Sequence, residues 1–128
     1  MTPFEYLEKI TAAIPASAVV IAHRITRHRS SNKDGYFRAI LTFTDGSRLE
    51  VMEYIRTTTR GEIETNRYSF HWMDADHRLK IRWDNAEHYP KLPGFPHHMH
   101  DGDEKNIRPC EPMNFFKVLD TITTALKK

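Results

Sequence analysis

From Ala18 to Trp83 the sequence keeps returning to a period of two, and that alternation limits the fold more than any other feature. Phe37, Ala39, Leu41 and Phe43 alternate with polar residues up to Thr44-Asp45-Gly46-Ser47, and Leu49, Val51 and Ile55 alternate after it. Asp-Gly stands where a short reversal is required, so the two runs predict a β-hairpin. Before them, Val19, Ile21 and Ile25 share one parity, with Arg24, Thr26 and His28 on the other, and Ser30–Gly35 supplies a turn. After Thr57–Gly61, alternation resumes in Tyr68, Phe70 and Trp72. Asp74-Ala75-Asp76-His77 then leads into Leu79, Ile81 and Trp83. About five consecutive strands joined by short connections imply an antiparallel sheet.

Helical spacing flanks this block. Thr2-Pro3-Phe4-Glu5 is a helix-start signature, with Thr2 as cap and Glu5 where a capping box needs it. Phe4, Leu7, Ile10 and Ile14 follow as a stripe, and Pro15 is expected to close the helix. From Pro112 onward, Phe115, Leu119, Ile122 and Leu126 form a second stripe, with Lys127 and Lys128 at the negative end of the helix dipole. The expected architecture is α+β in two layers, about five antiparallel strands with an N-terminal and a C-terminal helix on one face. With 128 residues and no linker or repeat, residues 1–128 are expected to form one domain.

Between the last expected strand and the second helix lies RWDNAEHYPKLPGFPHHMHDG, residues 82–102, which holds four of the eight histidines among three prolines. Prolines remove backbone donors and fix φ, so this stretch predicts an ordered loop presenting His88, His97, His98 and His100 at a surface or cleft. If residues 97–100 are extended, His98 and His100 point one way and His97 the other; if helical, His97 pairs with His100. With Asp84, Asp101 or Asp103 as an oxygen ligand, two imidazoles could hold a divalent metal; the set His98, His100 and Asp84 is the candidate. Without metal, the histidines could act as general base and acid, with Arg82 or Lys80 stabilising charge on a phosphate during cleavage through an RNA 2'-hydroxyl.

Parity gives two further expectations. Arg24, His28, Arg38, Arg48, Arg67, His71, Arg78, Lys80 and Arg82 fall on the polar sides of the strands, a mixture able to hold a phosphate backbone, with Tyr36 or Tyr54 to stack a base. Pairing with Glu50, Glu62 or Glu64 would use part of that charge. Glu53 instead has the parity of Leu49, Val51 and Ile55, a costly place for a carboxylate; a catalytic role, a structural pair with His23, or a bulge that returns it to solvent are the alternatives. The single cysteine, Cys110, permits no intramolecular disulfide and is expected to be a packed thiol. The single cysteine, the lack of a signal-peptide pattern at the start and the lack of any apolar run of membrane-spanning length together give the expectation of a cytoplasmic protein, and the net charge of +2 permits nucleic-acid contact without requiring it.

The order Tyr68-Ser69-Phe70-His71-Trp72, Arg82-Trp83-Asp84-Asn85-Ala86, Phe95-Pro96-His97-His98-Met99-His100 and a terminal helix resembles the TumE-like toxins of prokaryotic type II toxin-antitoxin systems. The likeness spans roughly residues 36–119, and its specific part is RWDNA followed by PHHxH. One departure is His88-Tyr89, where a second histidine pair would be expected. The resemblance implies a toxin neutralised by a cognate antitoxin, commonly a helix-turn-helix DNA-binding protein. Joined to the residue chemistry, it gives the expectation of a ribonuclease. His97, His98, His100, Arg82 and Asp84 would be its catalytic set, and Lys80, Arg38, Arg67, His71 and Tyr68 would contact RNA. A toxin that blocks translation by binding alone, or a metal-binding accessory protein, is the alternative.

Overall fold

The computed structural model describes residues 1–127, and its order is α1 (Pro3–Ala16), β1 (Val20–Ser30), β2 (Asp34–Phe43), β3 (Arg48–Thr57), β4 (Ile63–Met73), β5 (Leu79–Asp84), β6 (His98–Asp101), β7 (Ile107–Pro109), α2 (Phe115–Leu126). The sheet has seven strands where about five were expected, and their spatial order is their order in sequence, every pair antiparallel. The two additional strands come from the stretch expected to be a loop. Pro90, Pro93 and Pro96 all precede His98, so HMHD keeps its backbone donors and pairs with β5 and β7.

The capping box forms as read: the Glu5 amide donates to Thr2 Oγ1 at 3.1 Å and the Thr2 amide to Glu5 Oε1 at 2.9 Å. The buried stripe is Tyr6, Leu7, Ile10 and Ile14, while Phe4 is turned outward. Pro15 lies inside the last turn rather than beyond it. In α2 the buried residues are Phe115, Val118 and Ile122, with Leu119 and Leu126 packed at the margin. Lys127 is the C-cap, and Lys128 lies outside the described residues. Both helices cover the same sheet face, as expected. Tyr6 of α1 bonds Glu53 of β3, and Phe115 of α2 packs edge-on against Phe37 of β2. Phe37, Leu41, Phe43, Leu49, Ile55 and Phe70 are wholly buried beneath them. Burial of this apolar face, at about 25 cal/mol per Å2, is the main term holding the layers together. No described helix is long and apolar enough to cross a membrane.

β1 departs from its expected alternation because two bulges interrupt it, at Val20/Ala22 and at Ile25/Arg27. Each bulge shifts the parity of the residues beyond it. Ile21 is therefore exposed, Arg27 and Arg29 stand opposite Arg38 and Tyr36 on the open face, and His28 faces Phe37 on the helix side, 3.5 Å from Glu8. The hairpins follow their turn chemistry. Gly46 takes the positive φ of the β2–β3 turn, and Asp74 Oδ1 accepts from the amides of Asp76 and Arg78 at the β4–β5 turn.

Candidate functional site

On the sheet face opposite the helices, two residues of β5 meet two of β6. Arg82 and Asp84 are two apart and point the same way; their register partners are His100 and His98, also two apart. The extended alternative for residues 97–100 is the one adopted. The connection from Asn85 to His97 folds over this corner, and the Tyr89 ring lies edge-on to His98 at 5.0 Å and to His100 at 6.2 Å. Beneath it, Asp84, His98 and His100 are all buried. They line a cavity of about 380 Å3 that continues past Arg82 and His71 to Arg38 and Arg67.

Hydrogen bonding fixes what each imidazole presents. His98 is held at both ends: Nδ1 donates to the Pro96 carbonyl at 3.0 Å and Nε2 to Asp84 Oδ1 at 2.8 Å. His100 is held at one end. Its Nδ1 donates to the Glu104 carbonyl at 2.8 Å, which leaves Nε2 to accept from Arg82 Nη2 at 3.1 Å. Arg82 also donates through Nε to Asp84 Oδ2 at 3.2 Å and through Nη1 to Glu104 Oε1 at 2.8 Å. The guanidinium thus lies between two carboxylates, its Nη2 also 2.7 Å from Glu104 Oε2, and forms part of the cavity wall; Asp84 is further anchored by the Ala86 amide at 3.1 Å. His98 Nε2, His100 Nε2 and an Asp84 oxygen lie within 4.8 Å of one another. The same atoms could ligate a divalent cation, with the Pro96 and Glu104 carbonyls orienting the rings. A cation there would have to displace Arg82 from both His100 and Asp84.

The other expected site residues separate into two groups. Arg38, Arg67 and His71 line the cavity, and Tyr68 also borders it. His71 faces Arg82 across the β4–β5 ladder, and burial holds its pKa below the ordinary histidine value, with Glu50 opposing that shift. Tyr68 and His97 are turned to the helix-covered side, where the Tyr68 hydroxyl and His97 Nδ1 are 2.8 Å apart and the rings stack. The Tyr68 ring is buried and unavailable to stack on RNA. Lys80 lies outside the cavity, its ammonium 4.5 Å above the Trp72 ring. A bulge at Trp72/Met73 breaks the register there.

Glu53 has no exposed surface, so no bulge returns it to solvent, and its partners are Tyr6, Thr65 and the Phe115 amide rather than His23, which is exposed. Cys110 is half-buried at the core margin, its thiol pKa raised first by burial.

Sequence reasoning missed Asn85, Tyr89 and Glu104. Asn85 accepts from the Tyr68 amide at 3.0 Å and donates to the Asn66 carbonyl at 2.8 Å, replacing ladder bonds where β5 has ended beside β4. Its place directly after Arg82-Trp83-Asp84 was the available signal. Glu104 carried none, because its reach to Arg82 depends on the β6–β7 turn.

A family model described as toxin TumE matches residues 7–127. No curated protein and no solved structure shows a significant match. The matched span contains all of α2, α1 but for its first turn, the whole sheet and every residue of the cavity wall. A match of that extent is decisive: this chain belongs to the TumE family of toxins.

Proposed function

We propose that this toxin is a ribonuclease whose reaction centre is the cavity floor formed by Arg82, His100, His98 and Asp84. The observation that carries the reading is the meeting of Arg82 Nη2 with the accepting Nε2 of His100, at 3.1 Å, in a cavity whose further wall holds Arg38 and Arg67. A guanidinium in that position can take a phosphate oxygen by charge-assisted hydrogen bonds, while the neighbouring imidazole transfers a proton. His98, bonded through both nitrogens, positions Asp84 and through it Arg82. Arg38 and Arg67 receive flanking phosphates. The chemistry is metal-independent, Arg82 supplying the positive charge a metal would bring. The partner is an antitoxin, as membership of a toxin family implies, and a helix-turn-helix DNA-binding protein is the kind proposed. The cytoplasm is the compartment in which such a toxin would meet RNA.

The test is cleavage of end-labelled single-stranded RNA by purified protein, with and without chelator, beside His98→Ala and His100→Ala variants shown to be folded. Cleavage by the wild type in chelator, lost in His100→Ala, is the expected result. Cleavage abolished by chelator would return the trio to metal ligation. A folded His100→Ala variant that still arrests growth would make the protein an inhibitor that acts by binding.

A further inference from the structure

The open face carries a second set of groups suited to proton transfer. Glu50 of β3 is directly opposite His71 of β4, His71 is opposite Arg82 of β5, and Arg82 is opposite His100 of β6. Four neighbouring strands thus present Glu, His, Arg and His as one row on one face, and all four line the same cavity. Directly opposed residues lie about 5 Å apart at Cβ, so His71 and His100 flank Arg82 with roughly 10 Å between their Cβ atoms. Two imidazoles reaching inward across that gap leave room for one phosphate on the guanidinium. Arg82 directs its hydrogen bonds to Asp84, His100 and Glu104; among the described residues neither Glu50 nor the His71 ring has an ion-pair or hydrogen-bond partner. A carboxylate and an imidazole placed side by side in a cavity and used by nothing else in the fold are available to a ligand.

We propose that His71, backed by Glu50, is the general base that removes the 2'-hydroxyl proton, that Arg82 holds the scissile phosphate, and that His100 protonates the departing 5'-oxygen. This rests on the ribonuclease reading and gives it a reaction. The 2'-oxygen bonds to phosphorus as its proton passes to His71, and the bond from phosphorus to the 5'-oxygen breaks as that oxygen takes a proton from His100. The products are a 2',3'-cyclic phosphate and a 5'-hydroxyl. The histidines finish with exchanged protonation states and reset through water, so no other reactant is needed. The assignment of roles comes from their surroundings. His71 stands directly beside the Glu50 carboxylate, which stabilises its imidazolium once formed, and burial lowers its pKa from the ordinary histidine value. His100 has Asp84 Oδ2 3.6 Å from Nε2 and Glu104 Oε2 3.8 Å from Nδ1. That ring, bordered by two carboxylates and in contact with Arg82, is the one assigned to the departing oxygen.

The experiment uses an RNA oligonucleotide carrying, at its mapped cleavage position, either the natural linkage, a 2'-deoxyribose, or a bridging 5'-sulfur that departs without protonation. Wild type is expected to leave a cyclic phosphate and a 5'-hydroxyl on the natural linkage and to spare the 2'-deoxy one. His71→Ala, with His71→Gln as a second variant should the first fail to fold, is expected to lose about 10^2–10^4-fold on both the natural and sulfur linkages. Glu50→Gln should lose less on both. His100→Ala should lose as much on the natural linkage and recover on the sulfur one. Products with a 3'-hydroxyl and 5'-phosphate, or cleavage of the 2'-deoxy linkage, would overturn this inference while leaving a ribonuclease. So would wild-type rates in folded His71 and Glu50 variants, or rescue by sulfur of His71→Ala instead of His100→Ala. No cleavage of any RNA by protein that arrests growth would remove the ribonuclease reading and this inference together.

Discussion

Three elements donate hydrogen bonds to one buried carboxylate. Glu53 Oε2 receives the hydroxyls of Tyr6 from α1 and Thr65 from β4, and Oε1 receives the Phe115 amide at the first turn of α2, at 2.9 Å. Desolvation is the largest influence on this group and raises its pKa, against the lowering effect of its three donors. A raised folded-state pKa means that the associated stability is fully present below the unfolded value and is lost as the pH rises through the folded one. Chemical denaturation across pH 4–9 should therefore show a decline that is absent in Glu53→Gln. Glu53→Ala, which strands three donors, should cost about 2–4 kcal/mol at the low end of that range, the difference from wild type narrowing as the pH rises. The parity of Glu53 was legible in the sequence, but its burial was not settled there, because a bulge that returns it to solvent leaves the same pattern. Its partners were not legible, because Tyr6 lies 47 and Phe115 62 positions away.

At the level of elements, the legible strands were those whose alternation ran through five or more residues with a polar turn beyond. β2 to β5 met that condition and β1 did so only in part, since a bulge leaves no mark in a one-dimensional pattern. β6 and β7 are four and three residues long, too short for periodicity to speak, and the prolines beside them argued for a loop. What was legible at the site was the pairing of Arg82 with Asp84 and of His98 with His100, each two apart; that β6 would lie against β5 and merge them was not. Asn85 holds this corner by bonding backbone groups of β4 that no strand reaches. Asn85→Ala should cost about 1–3 kcal/mol in urea denaturation and, on the proposed ribonuclease reading, lower cleavage as the β5 end loosens. Asn85→Asp, which keeps the acceptor and loses the donor, should fall between.

For the whole molecule, the modest formal charge of +2 conceals an uneven distribution. Arg24, Arg27, Arg29 and Arg38 share the open face with Arg67 and Arg82, while both helices occupy the other side. If this face binds RNA, as proposed, binding to single-stranded RNA should weaken steeply with salt, and Arg38→Ala or Arg67→Ala should each reduce the slope of log K against log salt by roughly 0.7. Equilibrium titrations at several salt concentrations measure this directly, without reference to catalysis.

The sheet order is the order of synthesis, so each strand leaving the ribosome finds its neighbour already made. β1 to β5 can pair before residue 98 exists. The cluster around Arg82 closes only when β6 has been translated, and Glu53 gains its last donor later still, from Phe115. If the cluster around Arg82 is the reaction centre, as proposed, a nascent chain is unarmed until β6 emerges, and a message cut short before the codon for His98 should encode a harmless fragment.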